Sequence, residues 1–324
     1  MMKKLRIVFF GTPAFAIPSL RQLLEDGHAI QAVVTIPDKP AGRGMKPQPS
    51  PVKQFALENH LPVLTPENLL ESAFLRHLQD LHSDLFVVVA FKKLPREVWA
   101  MPPMGTINLH ASLLPAYRGA APIHWVLING DEKTGLTTFL INDRIDTGDI
   151  LLQLSVKIES EWNAGDLHDV MKERGAYLLS ATVWAIAHQT IKPLSQPLEG
   201  DFPKAPKIQS HHCQIQWEQP AQRIHNLVRG LSPSPGAETY WQGKRIKILK
   251  TRLLNADPWN GKESIPPGTI LNWNGKMCVS TTDGFLQIER LKVEGKKEIT
   301  GEEFLIGYRI QTISSFETTH RDHS

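Results

Sequence analysis

Asn108 and His110 stand two residues apart in Thr106-Ile107-Asn108-Leu109-His110, a run read as a strand, so both side chains point to one face. An amide donor beside an imidazole suits acyl chemistry. The carboxamide can stabilise an oxyanion as a tetrahedral centre forms, and the imidazole can shuttle a proton. Asp146, in Asp143-Arg144-Ile145-Asp146-Thr147-Gly148-Asp149, supplies the carboxylate that would orient the ring and favour its charged form. His28, His60 and His124 lack such company and are expected to be structural. His211-His212-Cys213 has no partners at ligand spacing, so no metal is expected.

Positioning such a trio takes a sheet whose strand ends share one edge. Leu5 to Phe10 reads as a buried strand, turned by Gly11-Thr12-Pro13 into a helix that runs to about Gly27. Further strands are expected at Ile30 to Ile36, Asp84 to Ala90, Thr106 to His110, Leu136 to Ile141 and Ile150 to Ile158. Residues 37–49, rich in Pro, Gly and Lys, read as a long loop. Helices follow from Ser50-Pro51 and over Asn163 to Gln189. This alternation predicts an α/β fold: an N-terminal Rossmann-like, mostly parallel sheet with helices on both faces and ligands at the carboxyl ends of its strands. Prolines 193, 197, 203 and 206 mark residues 190–208 as a linker between domains at 1–189 and 209–324. The second domain shows a helix at Pro220 to Leu231. Strands follow at Ala237 to Trp241, Arg245 to Leu253, Thr269 to Trp273, Met277 to Thr281 and Phe285 to Val293. Five short strands at this spacing predict a small OB-like β-barrel, and the polar end after Ser314 is expected to fray.

The chain has 324 residues, 36 Lys and Arg against 33 Asp and Glu, and two distant cysteines, Cys213 and Cys278, so a disulfide framework is excluded. No apolar run approaches the roughly 20 residues needed to span a bilayer, and no signal segment is evident, so a cytoplasmic chain without a membrane partner is expected. Residues 204–324 hold 17 Lys and Arg against 12 Asp and Glu, leaving 19 against 21 for the remainder. A basic second part behind a near-neutral first suits an enzyme core with an added surface for a polyanion.

The segment Asn108-Leu109-His110-Ala111-Ser112-Leu113-Leu114-Pro115, followed by Tyr117-Arg118-Gly119-Ala120-Ala121-Pro122-Ile123, resembles the signature of the folate-dependent formyltransferases. Ile145-Asp146-Thr147-Gly148-Asp149-Ile150 is similar to that family's aspartate loop. The resemblance implies that Asn108, His110 and Asp146 are catalytic, with Asn108 and protonated His110 stabilising the oxyanion. It also implies that Ser112, Leu113, Leu114 and Pro115 line the site of the co-substrate 10-formyltetrahydrofolate, without a metal. Val8 to Pro13, Phe15 to Leu20, the Pro37 to Lys53 loop, and Gln216 to Pro233 resemble the family's tRNA-formylating branch. This implies initiator methionyl-tRNA as the acceptor, contacted by Arg43; Lys39 and Lys46 beside it, and Lys244, Arg245 and Lys247 in the second domain, carry the charge to grip its phosphates. A monomer is expected.

One departure stands out: Phe91 is followed by Lys92-Lys93 where members often have an aromatic-Gly pair. Among rivals, a nicotinamide oxidoreductase would need a G-x-G-x-x-G turn that Gly11-Thr12-Pro13 is not. Glycinamide-ribonucleotide formyltransferases carry a Gly/Ser-rich loop where this chain has Pro13-Ala14-Phe15-Ala16. A formylfolate hydrolase is expected to carry a further domain ahead of the first strand. A formyltransferase acting on a sugar-nucleotide amine is the alternative that shares the trio. A catalytically silent RNA-binding protein is the alternative outside the enzymes.

Overall fold

The computed structural model describes residues 3–41, 46–259, 264–310 and 314–317, and the chain divides into two compact units. The first comprises Met1–Pro122, Lys133–Lys157 and His168–Lys204; the second comprises Ile123–Glu132, Ile158–Leu167 and Ala205–Ser324.

Seven strands build the sheet of the first unit: β1 (Arg6–Gly11), β2 (Ala29–Val34), β3 (Val63–Leu64), β4 (Leu85–Val89), β5 (Thr106–His110), β6 (Lys133–Leu140) and β7 (Ile150–Lys157). Their order is β7-β6-β5-β4-β1-β2-β3. The pairings from β5 through β3 are parallel, and β6 and β7 extend the sheet antiparallel. Strands buried on both faces have no polar side to show, which is why Leu85–Val89 is entirely apolar. On one face Val8, Phe10, Phe86 and Val88 pack with Phe74 and Leu78 of the helix Ser72–Asp80. On the other, the helix Ala164–Ala187 lies close enough that a Cβ at Gly175 would stand 2.8 Å from Leu109, and Thr138 and Thr182 share a hydroxyl hydrogen bond of 2.7 Å. The helix Pro51–Glu58 opens on Pro51 behind the cap Ser50, whose hydroxyl accepts from the Lys53 N–H at 3.0 Å.

The second unit is an antiparallel barrel. Its strands are β8 (Ala237–Trp241), β9 (Lys244–Leu253), β10 (Thr269–Trp273), β11 (Lys276–Ser280), β12 (Phe285–Val293) and β13 (Ser314–Ser315), in the order β8-β9-β12-β11-β10-β13. Alternation sets the inside: Ile246 and Ile248 of β9 and Leu286, Ile288, Leu291 and Val293 of β12 meet Trp217, Phe304 and the apolar face of the helix Ala221–Leu231.

Three local expectations change. The loop over 37–49 contains a short antiparallel pair, Lys39–Ala41 with Lys46–Gln48. The helix Ser72–Asp80 stands where the sequence reading assigned no element. Beyond Ser314, Phe316 is buried and Glu317 exchanges backbone hydrogen bonds of 2.9 and 2.7 Å with Tyr240 of β8, so these described residues are not frayed. That contact links the two ends of the strand order and nearly closes the barrel.

Candidate active site

β5 lies between β4 and β6, with Asn108 opposite Val88 and Phe139, and His110 opposite Thr137. Period-2 geometry therefore aims Asn108 and His110 at the face opposite Leu109. His110 is buried and Asn108 half-buried. Among the described residues, the Asn108 carboxamide makes no hydrogen bond, so its donors are uncommitted. His110 Nε2 sits 2.9 Å from the Tyr117 carbonyl, which can only accept, so that nitrogen carries the hydrogen. The ring's other nitrogen, Nδ1, faces Asp146 Oδ2 at 3.9 Å. Nε2 being committed to Tyr117, the Nδ1 edge is the one left for proton transfer.

Asp146 belongs to the turn that joins β6 to β7. The Asn142 side chain opens this turn by accepting from the Arg144 N–H and the Thr147 hydroxyl, each at 3.0 Å. Gly148 closes it, because a Cβ there would stand 1.6 Å from the Leu140 carbonyl oxygen. Asp146 itself has φ of 54°, in the left-handed region. Its Oδ2 accepts from the Gly119 N–H at 2.9 Å, and its carbonyl accepts from Arg118 Nε at 3.0 Å and Gln196 Nε2 at 3.1 Å. Burial lowers the pKa of the Arg118 guanidinium, while the Asp146 charge acts in the opposite direction.

The Ser112 to Pro115 stretch is pinned from beneath. Thr137 Oγ1 donates to the Ser112 carbonyl at 2.7 Å and accepts from the Leu114 N–H at 3.1 Å and from Gln153 Nε2 at 3.0 Å. Gln153 Nε2 also donates to the Leu114 carbonyl at 2.9 Å. Ser112 is fully buried and spends its hydroxyl on the Ala116 carbonyl at 2.6 Å. Leu114 is buried beside Phe139 and Ile150. These two side chains shape the loop, and the half-buried Leu113 and Pro115 remain nearer its surface. Thr137, Gln153, Arg118 and Gln196 were given no role from the sequence. Gln196 in particular lies in a proline-rich polar stretch that no periodicity distinguishes.

Lys92, at the place of the glycine that the resemblance led one to expect, has no left-handed φ; that conformation falls on Ala90, at φ 50°. Phe91 keeps its aromatic place, 5.7 Å from the Phe10 ring. The structural histidines take different partners. His28 accepts from the Leu5 N–H at 3.2 Å, His124 Nδ1 donates to the Gly230 carbonyl at 2.8 Å, and His60 is exposed. Among the described residues, no cluster of three or more His, Cys, Asp or Glu could hold a metal ion, and no helix is long and apolar enough to cross a membrane.

Of the expected tRNA contacts, Arg43 and the Lys46 side chain lie outside the described residues, and Lys39 is exposed. Arg245 and Lys247 share the outer face of β9, alternating with buried Ile246 and Ile248. Both are paired: Arg245 with Glu294 at 2.9 Å, Lys247 with Glu238 at 3.3 Å. Lys250 and Arg252 likewise hold Glu289, at 3.2 and 2.6 Å. Lys244 is exposed and, among the described residues, has no carboxylate within salt-bridge reach.

Residues 5–183 match the formyl transferase family, and residues 207–309 match the formyl transferase C-terminal domain. A methionyl-tRNA formyltransferase of Bacteroides thetaiotaomicron is 44% identical over 315 residues, spanning 95% of this chain and 98% of that protein. Another from Porphyromonas gingivalis is 44% identical over 324 residues, spanning 96% and 98%. The fold is shared with an N-formyltransferase from Helicobacter canadensis solved with folinic acid and dTDP-3-aminofucose, at 21% identity and a TM-score of 0.66, covering 88% of this chain and 98% of that one. The chain therefore belongs to the formyl transferase family, in the branch of the methionyl-tRNA formyltransferases.

Proposed function

We propose that this enzyme transfers the formyl group of 10-formyltetrahydrofolate to the α-amine of initiator methionyl-tRNA, yielding N-formylmethionyl-tRNA for translation initiation. The observation that carries this reading is identity of 44% with methionyl-tRNA formyltransferases along nearly the whole chain, second unit included. Residues 1–189 are taken as the catalytic domain, 190–208 as the joining segment and 209–324 as the tRNA-binding domain. The reading assumes a cytoplasmic monomer.

In the proposed reaction the amine nitrogen attacks the formyl carbon, and the carbonyl electrons move onto oxygen. The uncommitted Asn108 carboxamide donates to that oxyanion. The attacking nitrogen loses a proton through the His110–Asp146 pair, whose facing atoms stand 3.9 Å apart, a span that one water or the amine itself bridges. The bond from carbon to N10 then breaks, and N10 takes up a proton. N10 is a weakly basic aniline nitrogen, which favours its departure. Leu113 and Pro115 are assigned to the folate side of the site, above the framework made by Ser112 and Leu114. Lys39, Arg43, Lys46, Lys244, Arg245 and Lys247 are assigned to the tRNA backbone, where positive side chains position rather than specify.

The test is formyl transfer from 10-formyltetrahydrofolate to initiator methionyl-tRNA, with elongator methionyl-tRNA and an amino-sugar nucleotide as competing acceptors. Preference for the initiator is expected. Transfer confined to the sugar nucleotide would keep the trio and overturn the acceptor.

A further inference from the structure

The Asp146 carbonyl is held by two side chains from outside its own turn, and the reaction as written uses neither. Gln196 Nε2 donates to the Asp146 carbonyl at 3.1 Å and to the Gly148 carbonyl at 2.7 Å, so one amide spans the turn. Its Oε1 accepts from an Arg118 terminal nitrogen at 2.8 Å, and that nitrogen also donates to the Pro197 carbonyl at 2.9 Å. Arg118 Nε completes a closed ring through the Asp146 carbonyl at 3.0 Å. Gln196 is only 7% exposed, and both ends of its amide are spent in this ring.

The ring holds a conformation that the turn would not keep by itself. A φ of 54° is disfavoured for a residue with a Cβ. Released, the Asp146 backbone would relax to negative φ and carry the carboxylate away from both His110 and the Gly119 N–H. The segment bearing Gln196 is itself anchored, because Leu194 and Ile150 exchange backbone hydrogen bonds of 2.8 Å in each direction. Gln196 therefore has a fixed base from which to act.

We propose that Gln196, together with Arg118, is a positioning residue for formyl transfer, holding the left-handed Asp146 turn that presents the carboxylate to His110. This inference rests on the reading of Asp146 and His110 given above. It makes the stretch after the long helix part of the catalytic apparatus.

The experiment is a double-mutant cycle in the full-length enzyme, comparing Gln196→Leu in the wild-type and Asp146→Asn backgrounds by steady-state kinetics. Leucine approximates the volume and removes all three hydrogen bonds. In the wild-type background kcat should fall about 10²-fold, the scale of a 1 Å misplacement, with KM for both substrates unchanged. In the Asp146→Asn background the same substitution should change kcat by no more than about threefold, since residues acting as one unit are non-additive. Equal losses in both backgrounds, or a loss carried by KM, would overturn the proposal. Wild-type kcat in the Asp146→Asn enzyme would be a different failure, removing the role of Asp146 and the positioning of it together. Should Gln196→Leu not fold, Gln196→Glu carries the same cycle: it keeps the acceptor for Arg118 and turns an oxygen toward the two carbonyls.

Discussion

Asn108 owes its place to strand geometry alone, since no described hydrogen bond depends on its side chain and it is half-buried. Asn108→Ala is therefore expected to lower turnover by about 10²–10³-fold, the usual cost of an oxyanion donor, while the melting temperature stays at the wild-type value. Initial rates beside a thermal melt check both halves. Thr137 makes the opposite prediction. Its hydroxyl is fully buried and serves the Ser112 carbonyl, the Leu114 N–H and Gln153 at once. Thr137→Val keeps the shape and strands those partners, at an expected cost of about 1–3 kcal/mol by chemical denaturation. Activity should fall as well if the loop takes the folate-side role proposed for Leu113 and Pro115.

At Gly148 the turn between β6 and β7 has no room for a side chain. A methyl group at Gly148 would overlap the Leu140 backbone, so Gly148→Ala must shift the turn rather than a neighbouring side chain. The expected outcome is loss of kcat with the barrel still folded, read as turnover beside a near-native transition of the second unit. On β9 the charges differ in availability although they are adjacent in sequence. Lys244 has no carboxylate partner among the described residues and only lies over the Tyr308 ring at 6.0 Å, whereas Arg245 already holds Glu294 and is itself 42% exposed. A phosphate must displace the carboxylate to recruit Arg245. Lys244→Ala should reduce the slope of log affinity for tRNA against log salt by about 1, and Arg245→Ala by less. Equal slope changes would show that pairing across the strands does not restrain the arginine.

At the scale of the molecule, acid should act through His225, a half-buried histidine. His225, in the second unit, bonds Thr251 at 2.9 Å, and its neighbours include Arg229, Glu161 and Glu289. Burial lowers its pKa from the ordinary 6.5, Arg229 lowers it further, and the two glutamates oppose. Below about pH 6.5 the unfolded chain therefore binds a proton that the folded chain refuses. Stability is complete above that value and is lost as pH falls from it toward the folded pKa. Denaturation midpoints between pH 7 and about 5, followed by the fluorescence of buried Trp217, should fall less steeply in His225→Gln than in the wild type. An identical pH dependence would move the acid sensitivity elsewhere.

Local chemistry made much of this protein legible in its sequence. Alternation aimed Asn108 and His110 at one face, continuous apolar runs announced β1 and β4, and the spacing of short strands announced a barrel. The aspartate loop was legible only through its resemblance to the family motif Ile145 to Ile150. Each of these signals lives within a few residues, where strand and helix periods leave their mark. The structure decided what depends on chain segments meeting. Asp146 comes within 3.9 Å of His110, and Gln196 reaches back 50 residues to hold the Asp146 carbonyl. Glu317 links Tyr240 across 77 positions, and Arg245 and Lys247 on β9 are answered by Glu294, just past the end of β12, and Glu238 on β8. A lone glutamine or a two-residue strand has no period of its own, so only the packing that surrounds it gives it a role.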